Sequence, residues 1–251
     1  MNSLYIQKIV LSENFEDHTY LSKLPVIKNL QRMGELSLKK PVTFFVGENG
    51  TGKSTLLESI AVSYGFNAEG GTRNFSFSTY SSHSPLYRFL KLVKGYRRPR
   101  DGFFLRAESF YNVASYIEEL DEIQASAPRV KDSYGGKSLH EQSHGESFLS
   151  LVLNRFGGEG VYILDEPEAA LSPSRQMTLL TEINRLVKNH SQFIIATHSP
   201  MLMAYPDADI FVLEDDKIAL TDYKQTEHYL LTRRFLENPE KMLQYLFDSE
   251  E

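Results

Sequence analysis

Apolar positions along the chain fall into short unbroken runs separated by stretches with helical spacing. VTFFVG (42–47), FFLRAE (103–108), VYILDE (161–166) and QFIIATH (192–198) are rich in β-branched and aromatic residues. Such runs are expected of strands buried on both faces. LYIQKIVL (4–11) alternates more, which predicts a strand with one covered face. Between these runs, Leu56, Leu57, Ile60, Ala61 and Tyr64 share one helical face, and Val113, Tyr116, Ile117, Leu120 and Ile123 share another. FLSLVLNRF (148–156) predicts a further helix. Met177, Leu180, Ile183 and Val187 mark one more, opened by Ser172 as N-cap and Pro173 at the first helical position. IFVLEDDKIALTDY (210–223) predicts a β-hairpin, and Asn238-Pro239 opens a last amphipathic helix. Residues 65–84, rich in Gly, Ser, Asn and Thr, predict a loop or mobile insert. Strands alternating with helices imply an α/β fold with a mainly parallel sheet covered on both faces.

Composition narrows the class. The chain has 251 residues, 41 % hydrophobic and 24 % charged, which suits one globular domain over 1–251. The stretch from about 85 to 160 is expected to form its helical or inserted region. Cysteine is absent, which excludes disulfides and thiolate zinc sites and suits a cytoplasmic location. No run approaches the ~18 apolar residues of a membrane span, so no transmembrane segment of its own is expected. The opening MNSLYIQKIVLSENFEDH lacks the basic start and apolar core of a signal peptide. A net charge of −6 argues against attraction of the whole surface to nucleic acid. The basic stretch RFLKLVKGYRRPR (88–100) reads as a phosphate-contacting patch or, more simply, as an amphipathic helix and loop.

The chemistry concentrates at the ends of the apolar runs. GENGTGKST (47–55) fits G-x-x-x-x-G-K-[ST], between a buried strand and a helix, which is the context a phosphate loop needs. Gly50 and Gly52 allow the backbone from Gly47 through Asn49 and Thr51 to curl, so that N–H groups point at phosphate oxygens. Lys53 would reach the β- and γ-phosphates, Ser54 would ligate Mg²⁺, and Thr55 closes the loop at the start of the helix. Asp165 and Glu166 end one apolar strand and His198 ends another, so all three belong at the carboxyl edge of the sheet. Asp165 would hold Mg²⁺, Glu166 would polarise an attacking water, and His198 would donate to the γ-phosphate. LHEQSHGESF (139–148) has two readings. His140-Glu141-x-x-His144 has the spacing of a zinc-protease helix, but glycines bracket it at 135, 136 and 145.

The other reading comes from a resemblance. Gly47 to Thr55, VYILDEP, AALS (169–172) and His198 stand in the order of the Walker A, Walker B, D-loop and H-loop motifs, and the chain resembles the ABC-type ATPases. Ser143-His144-Gly145-Glu146 then falls where that family's signature motif belongs, with Ser143 and Gly145 at the two positions that touch the γ-phosphate of a partner copy. The resemblance implies a P-loop fold with a small antiparallel N-terminal lobe and a helical subdomain, MgATP hydrolysis, and a homodimer in the ATP state. The departures are specific. QSHGE replaces LSGGQ, Ser172 stands at the D-loop aspartate, and Glu108 stands where a Q-loop glutamine belongs, as a candidate ligand of Mg²⁺ or water. Tyr20 is the best-spaced residue to stack on adenine. With ATHSP at the H-loop, the chain is similar to the soluble RecF- and SMC-like branch, which implies a DNA-linked repair or phage-defence process or action on a separate effector protein. The alternative is the ATPase subunit of an ABC membrane transporter.

Overall fold

The structure, a computed structural model, describes residues 4–13, 15, 20–73, 84–107, 110–122, 136 and 142–248. Two sheets organise it. A six-stranded sheet has the order β5 (Asp101–Arg106), β6 (Gly160–Asp165), β7 (Gln192–Ala196), β3 (Val42–Val46), β8 (Ala208–Leu213) and β9 (Ile218–Leu220). All its neighbours are parallel except the β8–β9 hairpin. A three-stranded antiparallel sheet has the order β2 (Glu35–Ser37), β1 (Ile6–Leu11) and β4 (Leu90–Lys94). The main sheet sorts its side chains by the two-residue period of a strand. Phe45, Phe104, Val161, Ile163 and Ile194 face a core shared with the small sheet and helices α1 (Pro25–Met33) and α2 (Lys53–Tyr64). Phe44, Phe103, Tyr162, Leu164 and Phe193 face a second core. That core is closed by α3 (Phe110–Glu122), α4 (His144–Arg155), α5 (Pro173–Lys188) and α6 (Pro200–Met203). The apolar runs are continuous because both faces are covered.

A single buried side chain ties the two sheets together. Gln192, at the start of β7, accepts hydrogen bonds from the N–H groups of Tyr5 (3.0 Å) and Ile6 (2.9 Å), and its amide donates to the carbonyl of Ile6 (2.8 Å). Otherwise these backbone groups would lie buried without partners, which costs about 1–3 kcal/mol each.

Several expectations need correction in detail. The stretch 88–100 is not an amphipathic helix. A 3₁₀ turn over Pro85–Arg88 leads into β4, which pairs with β1, because Phe89 is held edge-on by Phe15 at 5.0 Å and Leu90 is buried. The region 85–160 therefore gives strands to both sheets, and its described helices are α3 and α4. The buried face of α5 is Gln176, Leu179, Ile183 and Leu186, with Met177 exposed, so the helix is rotated about one residue from the predicted face. In α2, Leu56, Leu57, Ile60, Ala61 and Tyr64 are all buried as expected. Residues 65–73 lie on the sheet, with Gly71 bridged to Phe104 in both directions; residues 74–83 fall outside the described part. Three described helices had no counterpart in the hydrophobic pattern: α1, the short α6, and α7 (Glu227–Glu237), which precedes α8 (Pro239–Asp248). Among the described residues no helix is long and apolar enough to cross a membrane.

Gln192→Ala is expected to lower unfolding stability by about 2–4 kcal/mol, read as a shift of the urea midpoint. An unchanged midpoint would mean that water satisfies the Tyr5 and Ile6 backbone.

Candidate nucleotide site

The loop between β3 and α2 curls because three glycines adopt positive φ: Gly47 (146°), Gly50 (86°) and Gly52 (98°). Space also demands two of them. A Cβ on Gly47 would lie 2.3 Å from the carbonyl of Leu213, and one on Gly52 would lie 2.5 Å from Val26 Cγ1. Thr51 closes the turn through its hydroxyl to Glu48 O (2.9 Å) and accepts from Val26 N–H (3.1 Å), so α1 braces the loop from below. Lys53 is buried, and its ammonium donates to the carbonyls of Gly47 (2.7 Å) and Glu48 (2.9 Å). Burial lowers its pKa, and the carboxylates of Glu166 and Asp165 oppose that shift. Ser54 Oγ donates to Asp165 Oδ1 at 3.2 Å. The loop and the end of β6 therefore meet directly. Asn49 and Thr55 also lie in this segment, and Gly50 has open space around its α-carbon.

Ladder bonds that run past the strand ends lock the carboxyl edge. Glu166 N–H donates to Ala196 O (2.9 Å), Thr197 N–H to Phe45 O (3.2 Å) and Ala107 N–H to Asp165 O (3.2 Å). Glu166 has φ 49°, a left-handed conformation that costs a residue with a Cβ on the order of 1 kcal/mol. Its carboxylate is turned toward His198, with Oε1 at 3.8 Å from His198 Nε2. That nitrogen is buried and has no hydrogen-bond partner among the described residues. Burial lowers the pKa of His198, and nearby Lys53 lowers it further. A cleft of about 330 Å³ is lined by Ser54, Ala107, His144, Asp165, Glu166 and Ala169. The curled loop, the Ser54–Asp165 oxygen pair and the orphaned imidazole nitrogen together suit a bound polyphosphate with its cation.

The signature segment opens α4. Ser143 is the N-cap, and its N–H (3.1 Å) and hydroxyl (2.8 Å) both donate to Glu146 Oε2. Arg175, from α5, pairs with Glu146 Oε1 at 3.1 Å. Gly145 is buried, and a Cβ there would lie 2.4 Å from Ala170 O and 2.6 Å from Arg175 Nη1. Glycine at 145 thus lets α4 close on the turn after β6. Ser143 is exposed, while His144 lies edge-on to Phe110 at 5.4 Å and lines the cleft of its own chain. Glu108, His140 and Glu141 lie outside the described residues. Tyr20 is 55 % exposed at the start of a 3₁₀ turn that leads into α1.

Three residues of the site were not singled out in the sequence. Arg106, at the end of β5, pairs with Glu58 at 2.8 Å and reaches Asp165 Oδ2 at 3.5 Å. Glu168 is a carboxylate with a pKa raised by burial, and it accepts from His198 N–H. His228, the second residue of α7, has Nε2 3.3 Å from His198 Nδ1. A basic residue two positions before the Q-loop site was a usable signal for Arg106. Nothing local marks His228.

The fold and site define a P-loop nucleotide-binding protein. An AAA-domain family model whose description names the AbiEii toxin and a type IV toxin–antitoxin system matches residues 138–204, and a second AAA-domain model matches 27–100. The xylose import ATP-binding protein XylG of Thermoanaerobacter pseudethanolicus is 28 % identical over 223 residues, covering 81 % of this chain and 43 % of that protein. The ribose import ATP-binding protein RbsA of Bacillus cereus is 28 % identical over 189 residues, covering 69 % and 37 %. The chain thus spans less than half the length of these two relatives. The structure of cbiO1 from Clostridium perfringens, part of the ABC transporter complex cbiONQ, shares the fold. It has a TM-score of 0.51 and 20 % identity, covering 98 % of this chain and 99 % of that one. Together these matches make the chain similar to AAA-domain proteins and to the ATP-binding proteins of importers.

Two expectations follow from the site's electrostatics. Arg106→Gln leaves Glu58 and Asp165 without their shared cation and is expected to cost about 3 kcal/mol of stability, measured by chemical unfolding. A wild-type midpoint would show that solvent screens both carboxylates. The second concerns pH. Burial and the charge of Lys53 lower His198 below the ordinary 6.5, and burial, His198 and Lys53 lower His228. Their contribution is complete above that value and is lost as pH falls through the lowered pKa values. Tm should therefore fall more steeply between pH 7 and pH 5 in the wild type than in a His198→Gln/His228→Gln double variant. Equal slopes would remove the histidines from the acid response.

Proposed function

We propose that this enzyme hydrolyses MgATP in the cytoplasm as an ATP-closed homodimer and that the cycle drives a separate effector protein. The observation that carries the chemistry is the meeting of Ser54, Asp165, Glu166 and His198 beside the curled Gly47–Thr55 loop. Lys53 binds the β- and γ-phosphates, with the loop N–H groups and the start of α2 adding positive potential. Ser54 and Asp165 are the oxygen donors that fit Mg²⁺, which when bound neutralises phosphate charge. Glu108 extends that set by its place in the sequence. Glu166 takes the proton of the attacking water, and Nε2 of His198 donates to the γ-phosphate. Ser143 and Gly145, at the start of α4, meet the γ-phosphate of the second copy, and Tyr20 stacks on adenine.

A protein partner is favoured over DNA by the surface. Leu231, Leu236, Tyr245, Leu246 and Phe247 on α7 and α8 are all more than half exposed, a concentration of apolar surface that marks an interaction face. The net charge of −6 points the same way. The family description naming a toxin–antitoxin system suits a soluble defence or repair setting. The second reading is a transporter subunit, favoured by the two import ATP-binding relatives.

Lys53→Ala is expected to weaken ATP binding by at least about 100-fold, read by fluorescent-nucleotide titration. Glu166→Gln should keep ATP binding, lose about 100-fold or more in kcat, and sediment as a dimer in MgATP. A monomer under saturating MgATP would defeat the dimer mechanism. Purified from its host in that state, the Glu166→Gln protein should retain a soluble protein; an integral membrane protein in its place would establish the transporter reading.

A further inference from the structure

The two ring nitrogens of His198 have different surroundings. Nε2 faces Glu166 at 3.8 Å, is buried, and has no hydrogen-bond partner among the described residues. Nδ1 lies 3.3 Å from Nε2 of His228, and the rings are 5.5 Å apart at 49°. His228 comes from α7, which carries none of the nucleotide motifs. Its position is nonetheless well determined. Thr226, almost fully buried, caps α7 by accepting from Tyr229 N–H (3.3 Å), and its hydroxyl donates to Tyr223 O (2.7 Å). The rings of Tyr223 and Tyr229 pack at 4.7 Å. His228 also lines a second cleft with Gly47, Glu48 and Thr51, so the start of α7 sits against the phosphate loop.

Two neutral imidazoles in contact share one proton between the facing nitrogens, and a neutral ring carries a single N–H. If His198 Nδ1–H donated to His228, His198 Nε2 would present a lone pair to the Glu166 carboxylate and to any phosphate beside it. Like charge densities would then face each other. If instead His228 Nε2–H donates to His198 Nδ1, the proton of His198 sits on Nε2. It then points toward the anionic side, where it can donate. The second arrangement satisfies both contacts.

We propose that His228 is a positioning residue of the ATPase: its Nε2–H holds His198 in the Nε2–H tautomer that donates to the γ-phosphate. This rests on the assignment of His198 to that phosphate. It places a residue of the C-terminal helices in the hydrolytic machinery, acting through another side chain.

The test uses the full chain labelled with ¹⁵N-histidine, with long-range ¹H–¹⁵N correlations to read the ring tautomers. The His198 signals are identified by their loss in His198→Gln. The expected result is an Nε2–H His198 in the wild type and mixed tautomers in His228→Phe. Two substitutions of equal size separate donation from packing. His228→Gln can donate to Nδ1 and should keep kcat within about 5-fold of wild type. His228→Glu can only accept and should lose about 100-fold in kcat, with thermal melts confirming that both fold. Equal kcat for the Gln and Glu variants overturns the role of His228 and leaves the phosphate assignment standing, whereas an Nδ1–H His198 overturns both, because Nε2 would then have no proton to donate. A wild-type kcat in His198→Gln overturns the phosphate assignment itself, and the proposal with it.

Discussion

Parallel pairing of β6, β7 and β3 is the constraint on which the site depends. Phe45 and Asp165 both stand level with Ala196, and Arg106 stands level with Asp165. Strands in such a register finish together, and their next residues keep bonding across the edge. Glu166 therefore hangs from Ala196, Thr197 from Phe45 and Ala107 from Asp165. Glu166 is thus placed by a ladder hydrogen bond rather than by a free loop. Precision of that kind suits phosphate chemistry, in which the protein contributes mainly position and charge.

Charge is arranged in layers behind this edge. Asp165 is shared between Ser54 in front and Arg106 behind. Arg106 in turn holds Glu58, which accepts from Ser84 N–H at 2.8 Å. A cation thus backs the buried Asp165 carboxylate next to the loop. Glu168 is different. No cation faces it among its described contacts, burial raises its pKa, and its role is to hold the backbone of His198.

The departures from the common signature sequence acquire a local reason. Glu146 replaces a glutamine, and its carboxylate can serve the Ser143 N–H and hydroxyl and Arg175 together, which an uncharged amide would do less strongly. Glycine at 145 is demanded by the carbonyl of Ala170. The start of α4 is thus bound to the turn after β6, which begins at Glu166.

Much of the core was legible from the chain alone. Strands buried on both faces must be apolar at every position, so VTFFV, FFL, VYIL and QFIIA announced themselves, and the phosphate loop was readable from glycine and lysine spacing. The ends of those runs also gave Asp165, Glu166 and His198, since polar residues directly after a buried strand must lie at its edge. Amphipathic detail was less legible. The face of α5 was missed by about one residue because Gln176 and Glu182 are buried through hydrogen bonds and an ion pair, which hydrophobicity does not register. The stretch 88–100 misled for a related reason: β4 lies at the edge of a three-stranded sheet, and its period is weak. What the sequence determined was the local chemistry and the strand ends, because both follow from residue type and spacing over a few positions. Tertiary structure alone decided that Arg106 backs Asp165, that Gln192 joins the sheets and that His228 meets His198. These contacts join residues far apart in the chain, and no local pattern encodes which distant backbone will come within 3 to 4 Å.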